Sequence, residues 1–184
     1  MTITGGVAAN GGGVNNAGRL TLERDEIAHN RATDANPSRG GDGGGIYSTD
    51  PDTGSQLIVI DSEIVGNNAT SARGGIWARS YASPRIDNDL IYGNVVVDTT
   101  GGGADQGGGV WYQGDGPKPG DSWVGSNAMY EDTIVSNQIL SAGPTGSPVG
   151  KAAASTARAS GSCSASTRSP TTPHSTTARP RPDI

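Results

Sequence analysis

Short alternations of apolar and polar residues recur along this chain at a fixed distance from an isoleucine. In the first repeat Leu20 and Leu22 alternate with polar residues, and Ile27 follows Leu22 by five positions. The same spacing recurs in three further repeats, from Val59 to Ile64, Ile86 to Ile91 and Met129 to Ile134. Because side chains alternate between the two faces of a strand, one residue must form a bend if both apolar residues are to point inward. The pattern predicts two short strands joined by a bend in every repeat.

Two further signals keep the same phase in each repeat. A glycine run opens into an apolar β-former, and an asparagine lies three residues after the isoleucine. The glycine runs begin at Gly11, Gly43, Gly74 and Gly107, the isoleucines are Ile27, Ile64, Ile91 and Ile134, and the asparagines are Asn30, Asn67, Asn94 and Asn137. Loops of varying length separate these signals, which is typical of a repeat architecture with insertions.

The composition narrows the choice of fold. The chain has 184 residues, 30 glycines, no phenylalanine and 32% hydrophobic residues, fewer than a usual globular domain. Such a composition is typical either of disorder or of a solenoid whose thin repeats stack small side chains. The phased repeats favour the solenoid. We therefore predict an all-β fold, a single-stranded right-handed parallel β-helix of about four coils.

In such a fold equivalent residues of successive coils stack about 4.8 Å apart. The four isoleucines would then form an inward aliphatic stack. The four asparagines would form a hydrogen-bonded ladder, because a side-chain amide both donates and accepts.

The segment Asp61-Ser62-Glu63-Ile64-Val65-Gly66-Asn67-Asn68-Ala69, preceded by Gly43-Gly44-Gly45-Ile46-Tyr47, carries a family resemblance. It resembles the repeats of bacterial right-handed parallel β-helix proteins, similar to polymorphic outer-membrane proteins and to secreted proteins with the pectate-lyase-like fold. The resemblance covers roughly residues 3–140. It implies a secreted or cell-surface location, but not a single function, since this fold carries lyases, hydrolases, adhesins and passive stalks.

Three regions differ in composition. Residues 1–10 read as the end of a truncated coil, which would make the chain a fragment of a longer β-helix. Residues 11–148 hold the repeats, and residues 149–184 form a low-complexity tail predicted to be disordered. Met1 to Asn10 has neither the basic nor the apolar region of a signal peptide, and no run reaches the ~20 apolar residues of a membrane helix.

The tail has two interpretations. It could be a Ser/Thr/Pro-rich linker. Alternatively, reading its codons one base upstream allows Lys151 to Thr156 to encode Gly-Gly-Gly-Ile-Tyr and Ser166 to His174 to encode Asn-Ser-Ile-Ala-Tyr-Asn-Thr-Ala. Those are the two repeat signatures in their normal order. We therefore prefer a frameshifted translation of a further coil, in which Cys163 and His174 would have no function.

Charge and cysteine content exclude some functions. Residues 1–150 hold 8 Lys and Arg against 17 Asp and Glu, a net charge of −9, whereas the tail carries +4. An acidic body argues against nucleic acid, whose phosphates require a basic surface. One cysteine allows neither an internal disulfide nor a cysteine-based metal site.

Candidate catalytic residues are few. Asp87 and Asp89 are two positions apart on a predicted strand and would share one face. Such a pair could perform acid–base chemistry in a polysaccharide lyase or glycoside hydrolase. Acidic residues recur one or two positions before the isoleucine, however, and the preferred interpretation is that they are outward and solvated. The sequence indicates no catalytic residues and no cofactor.

The sequence gives equally little indication of a metal site or of a functional histidine. Asp42, Asp50 and Asp52 flank a glycine-rich loop and could bind calcium, but the strict nonapeptide calcium repeat is absent and loop solvation is preferred. His29 precedes a ladder asparagine and is interpreted as a solvent-facing turn residue.

Aromatic residues are the best binding candidates. Tyr47, Trp77 and Trp111 share one repeat position and could form a column that stacks on sugar rings or on a partner protein, or that only packs beneath loops. Tyr112, Tyr81 and Trp123 are further candidates.

The sequence therefore predicts a non-catalytic structural or adhesive module of a secreted or cell-surface bacterial β-helix, with a polysaccharide or host glycan as partner. The alternative is a fragment of a carbohydrate-active β-helix enzyme centred on Asp87 and Asp89. A disordered secreted segment is the third interpretation.

Overall fold

A computed structural model describes most of the repeat region and two short tail segments. The described residues are 1–33, 41–49, 56–71, 73–79, 84–98, 107–114, 128–142, 148–152 and 156–159. Within these ranges the protein is all-β and contains no helix. The predicted all-β class is confirmed for this part of the chain, and the disordered interpretation is wrong there. Asp50, Asp52, Tyr81, Trp123, Cys163 and His174 lie outside the described residues.

The described residues form twenty short strands, which follow one another in sequence. The first ten are β1 (Thr2–Thr4), β2 (Val7–Ala8), β3 (Val14–Asn16), β4 (Arg19–Glu23), β5 (Glu26–Ala28), β6 (Arg31–Ala32), β7 (Ile46–Ser48), β8 (Gln56–Ile60), β9 (Glu63–Val65) and β10 (Asn68–Ala69). The others are β11 (Ile76–Arg79), β12 (Arg85–Asp87), β13 (Leu90–Tyr92), β14 (Val95–Asp98), β15 (Val110–Gly114), β16 (Ala128–Tyr130), β17 (Thr133–Val135), β18 (Gln138–Ala142), β19 (Pro148–Ala152) and β20 (Thr156–Ala159).

These strands stack into four sheets, each built from equivalent strands of successive repeats. The isoleucine sheet has the order β1-β5-β9-β13-β17, and the sheet that precedes it in each repeat has the order β4-β8-β12-β16. The aromatic sheet has the order β3-β7-β11-β15-β20, and the fourth sheet has the order β2-β6-β10-β14-β18-β19. Neighbours are parallel throughout, except that β19 pairs antiparallel with β18.

The register aligns the repeat signals that the sequence shares. Ile27 pairs with Ile64, Ile64 with Ile91, and Ile91 with Ile134, with Ile3 before them. In the tail β20 places Thr156 beside Trp111. Strands β19 and β20 lie in the part of the chain for which the sequence predicts disorder.

The apolar core lies where three of the sheets face one another. Ile27, Ile64 and Ile91 are fully buried there, with Ile134 partly buried against them. The preceding sheet adds Leu22, Val59 and Ile86, and the aromatic sheet adds Ile46, Ile76 and Val110. The offset of five residues thus places two apolar residues of each repeat in one core.

The bend between the two strands of each repeat has a constant backbone form. Its first residue adopts positive φ in all four repeats, at Arg24, Asp61, Asn88 and Glu131. None of these is glycine, although this conformation costs an L-residue about 1 kcal/mol. The stacked repeats therefore hold a turn that isolated residues would not favour.

The glycine runs allow unusually close approach between repeats. A Cβ atom on Gly75 would lie 2.4 Å from the carbonyl oxygen of Gly109, and one on Gly45 would lie 2.9 Å from that of Gly75. No side chain fits at these two positions, which explains why the runs recur.

Candidate functional site

The asparagines Asn30, Asn67, Asn94 and Asn137 lie in the interior and join consecutive repeats. Each is 2% exposed or less. The Nδ2 of one asparagine donates to the Oδ1 of the next at distances of 3.1, 3.0 and 2.9 Å. The same Oδ1 also accepts the main-chain N–H of the preceding asparagine. Every link between repeats therefore has two hydrogen bonds to one carbonyl oxygen.

The second Nδ2 proton of the asparagines holds the isoleucine strand of the repeat before it. Asn67 donates to the carbonyl of Ile27 at 2.8 Å, and Asn94 donates to that of Ile64 at the same distance. Asn30 and Asn137 make the equivalent bonds to Ile3 and Ile91. The amide groups of Asn30, Asn67 and Asn94 are thus fully used for stacking.

A second column of polar side chains runs through the bends. Asp25, Ser62, Asp89 and Asp132 occupy equivalent positions two residues before the isoleucine. A side-chain oxygen of each later member accepts the main-chain N–H of the earlier one, at 3.1, 2.7 and 2.9 Å in order. We call these four residues the bend ladder. It connects the same repeats as the asparagines, through the hydroxyl of Ser62 and the carboxylates of Asp89 and Asp132.

Asp89 and Asp87, the proposed catalytic pair, have different environments. β12 ends at Asp87 and Asp89 lies in the bend, so the expectation that both share one strand face is wrong. Asp87 pairs with the exposed Arg85 at 2.6 Å, while its own N–H donates to Oδ2 of Asp89 at 3.1 Å. Asp89 is only 2% exposed, so the expectation that acidic residues here are solvated is also wrong for this position.

Burial raises the pKa of Asp89 to about 6 and that of Asp132 to about 6. Hydrogen bonds from the main chain lower both values, those of Ser62 and Asp87 at Asp89 and that of Asp89 at Asp132, but desolvation outweighs them. The negative charges of neighbouring aspartates add to the increase. Oδ2 of Asp132 is buried and has no hydrogen-bond partner among the described residues.

Tyr47, Trp77 and Trp111 form a continuous aromatic column on the side of the aromatic sheet away from the core. They are register partners, with ring centroids 4.0 Å apart for Tyr47 and Trp77 and 5.9 Å apart for Trp77 and Trp111. Trp77 is 4% and Trp111 3% exposed, and Tyr47 is half-buried. Tyr112, next along β15, is also buried and pairs with Ala78. Packing therefore uses most of the surface that ring stacking on a sugar would need.

Arg73 lies over this column and was not among the predicted residues. Its guanidinium carbon is 4.1 Å from the ring centroid of Trp111 and 5.3 Å from that of Trp77, and its Nη1 pairs with Asp42 at 3.1 Å. Arg73 adopts a φ of 63° at the position where Gly43 and the other runs have glycine. This interruption of the glycine run is the sequence signal that could have identified it.

The remaining candidates do not form a site. His29 is exposed, with its ring beside the α-carbon of Gly66, and Asp42 is engaged by Arg73. Across the described ranges, no three His, Cys, Asp or Glu side chains group as metal ligands would, and no helix is long and apolar enough to cross a membrane. No protein-family model matches the chain, and neither a curated protein nor a solved structure is significantly similar to it.

Proposed function

We propose that this chain is part of a right-handed parallel β-helix that serves as a non-catalytic structural or adhesive module of a secreted or cell-surface bacterial protein. The four sheets of equivalent strands support the helical fold, because a coiling chain would visit the same sheets in the same order once per repeat. The handedness follows from the resemblance of the repeats and from the general preference of parallel crossovers.

One observation carries the non-catalytic part of the proposal. The polar groups best placed for chemistry are used to join repeats: both oxygens of Asp89 accept main-chain N–H groups, and the ladder amides use their donors and acceptors on neighbouring repeats. A catalytic acid or base must lie within hydrogen-bond reach of the substrate atom with which it exchanges a proton. Asp89 is buried, so the enzyme alternative has little support despite the raised pKa of this carboxyl.

The test of this part is incubation of the full chain with a panel of acidic and neutral polysaccharides, with and without calcium. We expect no more new reducing ends or unsaturated products than with the heat-unfolded protein. Cleavage by the wild type that is lost in Asp87→Asn, a variant with an exposed neighbour and little packing to disturb, would establish the enzyme instead.

The adhesive part concerns glycans and the aromatic column. Tyr47 is the column member with the most exposed ring, whereas Tyr92 is an exposed tyrosine outside the column, on β13. On a glycan array we expect Tyr47→Ala to lose binding and Tyr92→Ala to retain it. Equal binding by both variants would place the adhesive surface elsewhere, and no binding by the wild type would leave a purely structural module.

A further inference from the structure

Asp89 and Asp132 occupy the same bend position in the third and fourth repeats, and Asp89 is buried while Asp132 is half-buried. Oδ1 of Asp132 accepts the N–H of Asp89 at 2.9 Å, and Oδ1 of Asp89 accepts the N–H of Ser62 at 2.7 Å. The carboxyl groups therefore follow one another along the bend ladder.

The groups around this pair supply little positive charge. In the second repeat Asp61, whose charge acts on Asp89, and the exposed Glu63 flank the bend, and in the fourth repeat the exposed Tyr130 and Glu131 do so. The third repeat contributes Asp87 and Arg85. Across the described strands β8, β9, β12, β13, β16 and β17, with their bends, Arg85 is the one Lys or Arg side chain, and its guanidinium is bound to Asp87. When both are ionised, Asp89 and Asp132 are thus neighbouring negative charges of adjacent repeats, with no free Lys or Arg side chain in these described strands to offset them.

The second repeat shows what the same position looks like without charge. Ser62 accepts the N–H of Asp25 with its hydroxyl oxygen and donates its proton to the carbonyl of Ile60 at 2.8 Å. A neutral group therefore suffices to make the ladder bond. The carboxylates at Asp89 and Asp132 add a charge that the ladder does not require.

We propose that Asp89 and Asp132 form a proton-sensitive junction, which holds the third and fourth repeats together most tightly at mildly acidic pH and loosens them toward neutral pH. Protonation removes the repulsion between the two groups and the cost of burying their charges. Protonation also converts the buried Oδ2 of Asp132, which has no hydrogen-bond partner among the described residues, from a negative oxygen into a neutral hydroxyl.

The direction of the pH effect follows from linkage. Both carboxyl groups have a folded-state pKa of about 6, above the value of about 3.9 for an aspartate in an unfolded chain. Between these values the folded chain binds more protons than the unfolded chain, so stability falls as pH rises. The stabilisation is complete below about pH 4 and is lost once pH passes through 6. From pH 5 to 7.5 each group then increases the unfolding constant roughly tenfold.

The test compares the pH response of unfolding in the full chain for the wild type, Asp132→Asn and Glu131→Gln. Asp132→Asn keeps a carbonyl oxygen for the N–H of Asp89, whereas Glu131→Gln removes an equal charge from the exposed neighbouring residue. The increase of the unfolding constant from pH 5 to pH 7.5 should be about tenfold smaller in Asp132→Asn than in the wild type. In Glu131→Gln this increase should stay near the wild-type value.

The same pH response in all three proteins would overturn the proposal. If Asp132→Asn does not fold, Asp132→Ser, which copies the second repeat, replaces it. A direct measurement is independent of folding of any variant: the side-chain carboxyl resonances of Asp89 and Asp132 in the wild type should titrate with midpoints near pH 6. Midpoints below pH 5 for both groups would also overturn the proposal.

Discussion

Replacement of Asn67 by alanine tests whether the asparagine ladder holds the repeats together. The Asn67 side chain makes four hydrogen bonds: Oδ1 accepts the N–H and Nδ2 of Asn30, and Nδ2 donates to the Ile27 carbonyl and to Oδ1 of Asn94. After the substitution Asn94 Oδ1 still accepts the N–H of residue 67, and Asn30 Nδ2 still donates to the Ile3 carbonyl. The N–H of Asn30 loses its partner without replacement, whereas the carbonyl of Ile27 loses one hydrogen bond but stays in the parallel ladder between β5 and β9.

The expected cost follows from those two groups. The N–H of Asn30, a buried donor left unsatisfied, costs about 1–3 kcal/mol and the bond lost at the Ile27 carbonyl adds about 1 kcal/mol, so Asn67→Ala should lower the free energy of unfolding by about 2–4 kcal/mol. That is a large part of the 5–15 kcal/mol typical of a domain. Equilibrium urea unfolding followed by far-ultraviolet circular dichroism measures the change.

The adjacent residue provides a matched control. Asn68 begins β10, and its side chain is half-buried. Asn68→Ala removes the same atoms one position away and should change the free energy of unfolding by less than about 0.5 kcal/mol. Similar losses in the two variants would refute the ladder as the source of stability.

Three further predictions concern other parts of the repeats. Gly75→Ala should destabilise the protein far more than Gly93→Ala, because a Cβ at Gly75 would lie 2.4 Å from the Gly109 carbonyl oxygen. A Cβ at Gly93 would meet no atom within 4 Å, so that substitution costs only about 1 kcal/mol for its φ of +63°. Equal losses of the free energy of unfolding in urea would contradict this. Arg73→Lys keeps the positive charge but loses the planar stacking of the guanidinium on the indoles. Thermal unfolding should therefore show a loss of stability of about 1 kcal/mol, and the tryptophan fluorescence emission should change. An unchanged emission spectrum would argue against the contact. Resequencing of codons 140–184 should give third bases compatible with a Gly-Gly-Gly-Ile-Tyr frame; incompatible bases, with peptides of the present frame seen by mass spectrometry, would establish the tail as translated.

Much of the stacking could be predicted because it depends on spacing alone. The constant offset of five from Val59 to Ile64 requires two strands and a bend, and recurrence of the offset requires equivalent strands to lie side by side. The parallel pairing of equivalent strands in the described part of residues 1–142 confirms this. The closed, right-handed coil stays a prediction, since pairing within a sheet does not by itself define the path between sheets.

The environments of individual side chains were harder to predict. Asp89 reads as a solvated residue because alternation along a strand would place it outward, but the bend turns it inward, where it accepts N–H groups from two directions. Arg73 is missed because Arg73-Gly74-Gly75 reads as a glycine run that begins one residue later than the others, which draws no attention to the arginine. In both cases contacts between repeats far apart in sequence determine the environment, and no local pattern contains them.

The most direct test of the account is an experimental structure of the full chain by crystallography. We expect a closed right-handed coil in which Ile27, Ile64, Ile91 and Ile134 stack inward at steps of about 4.8 Å, with the four asparagines hydrogen-bonded in line. Strands that pair antiparallel within residues 1–142, or asparagine side chains directed to solvent, would contradict it.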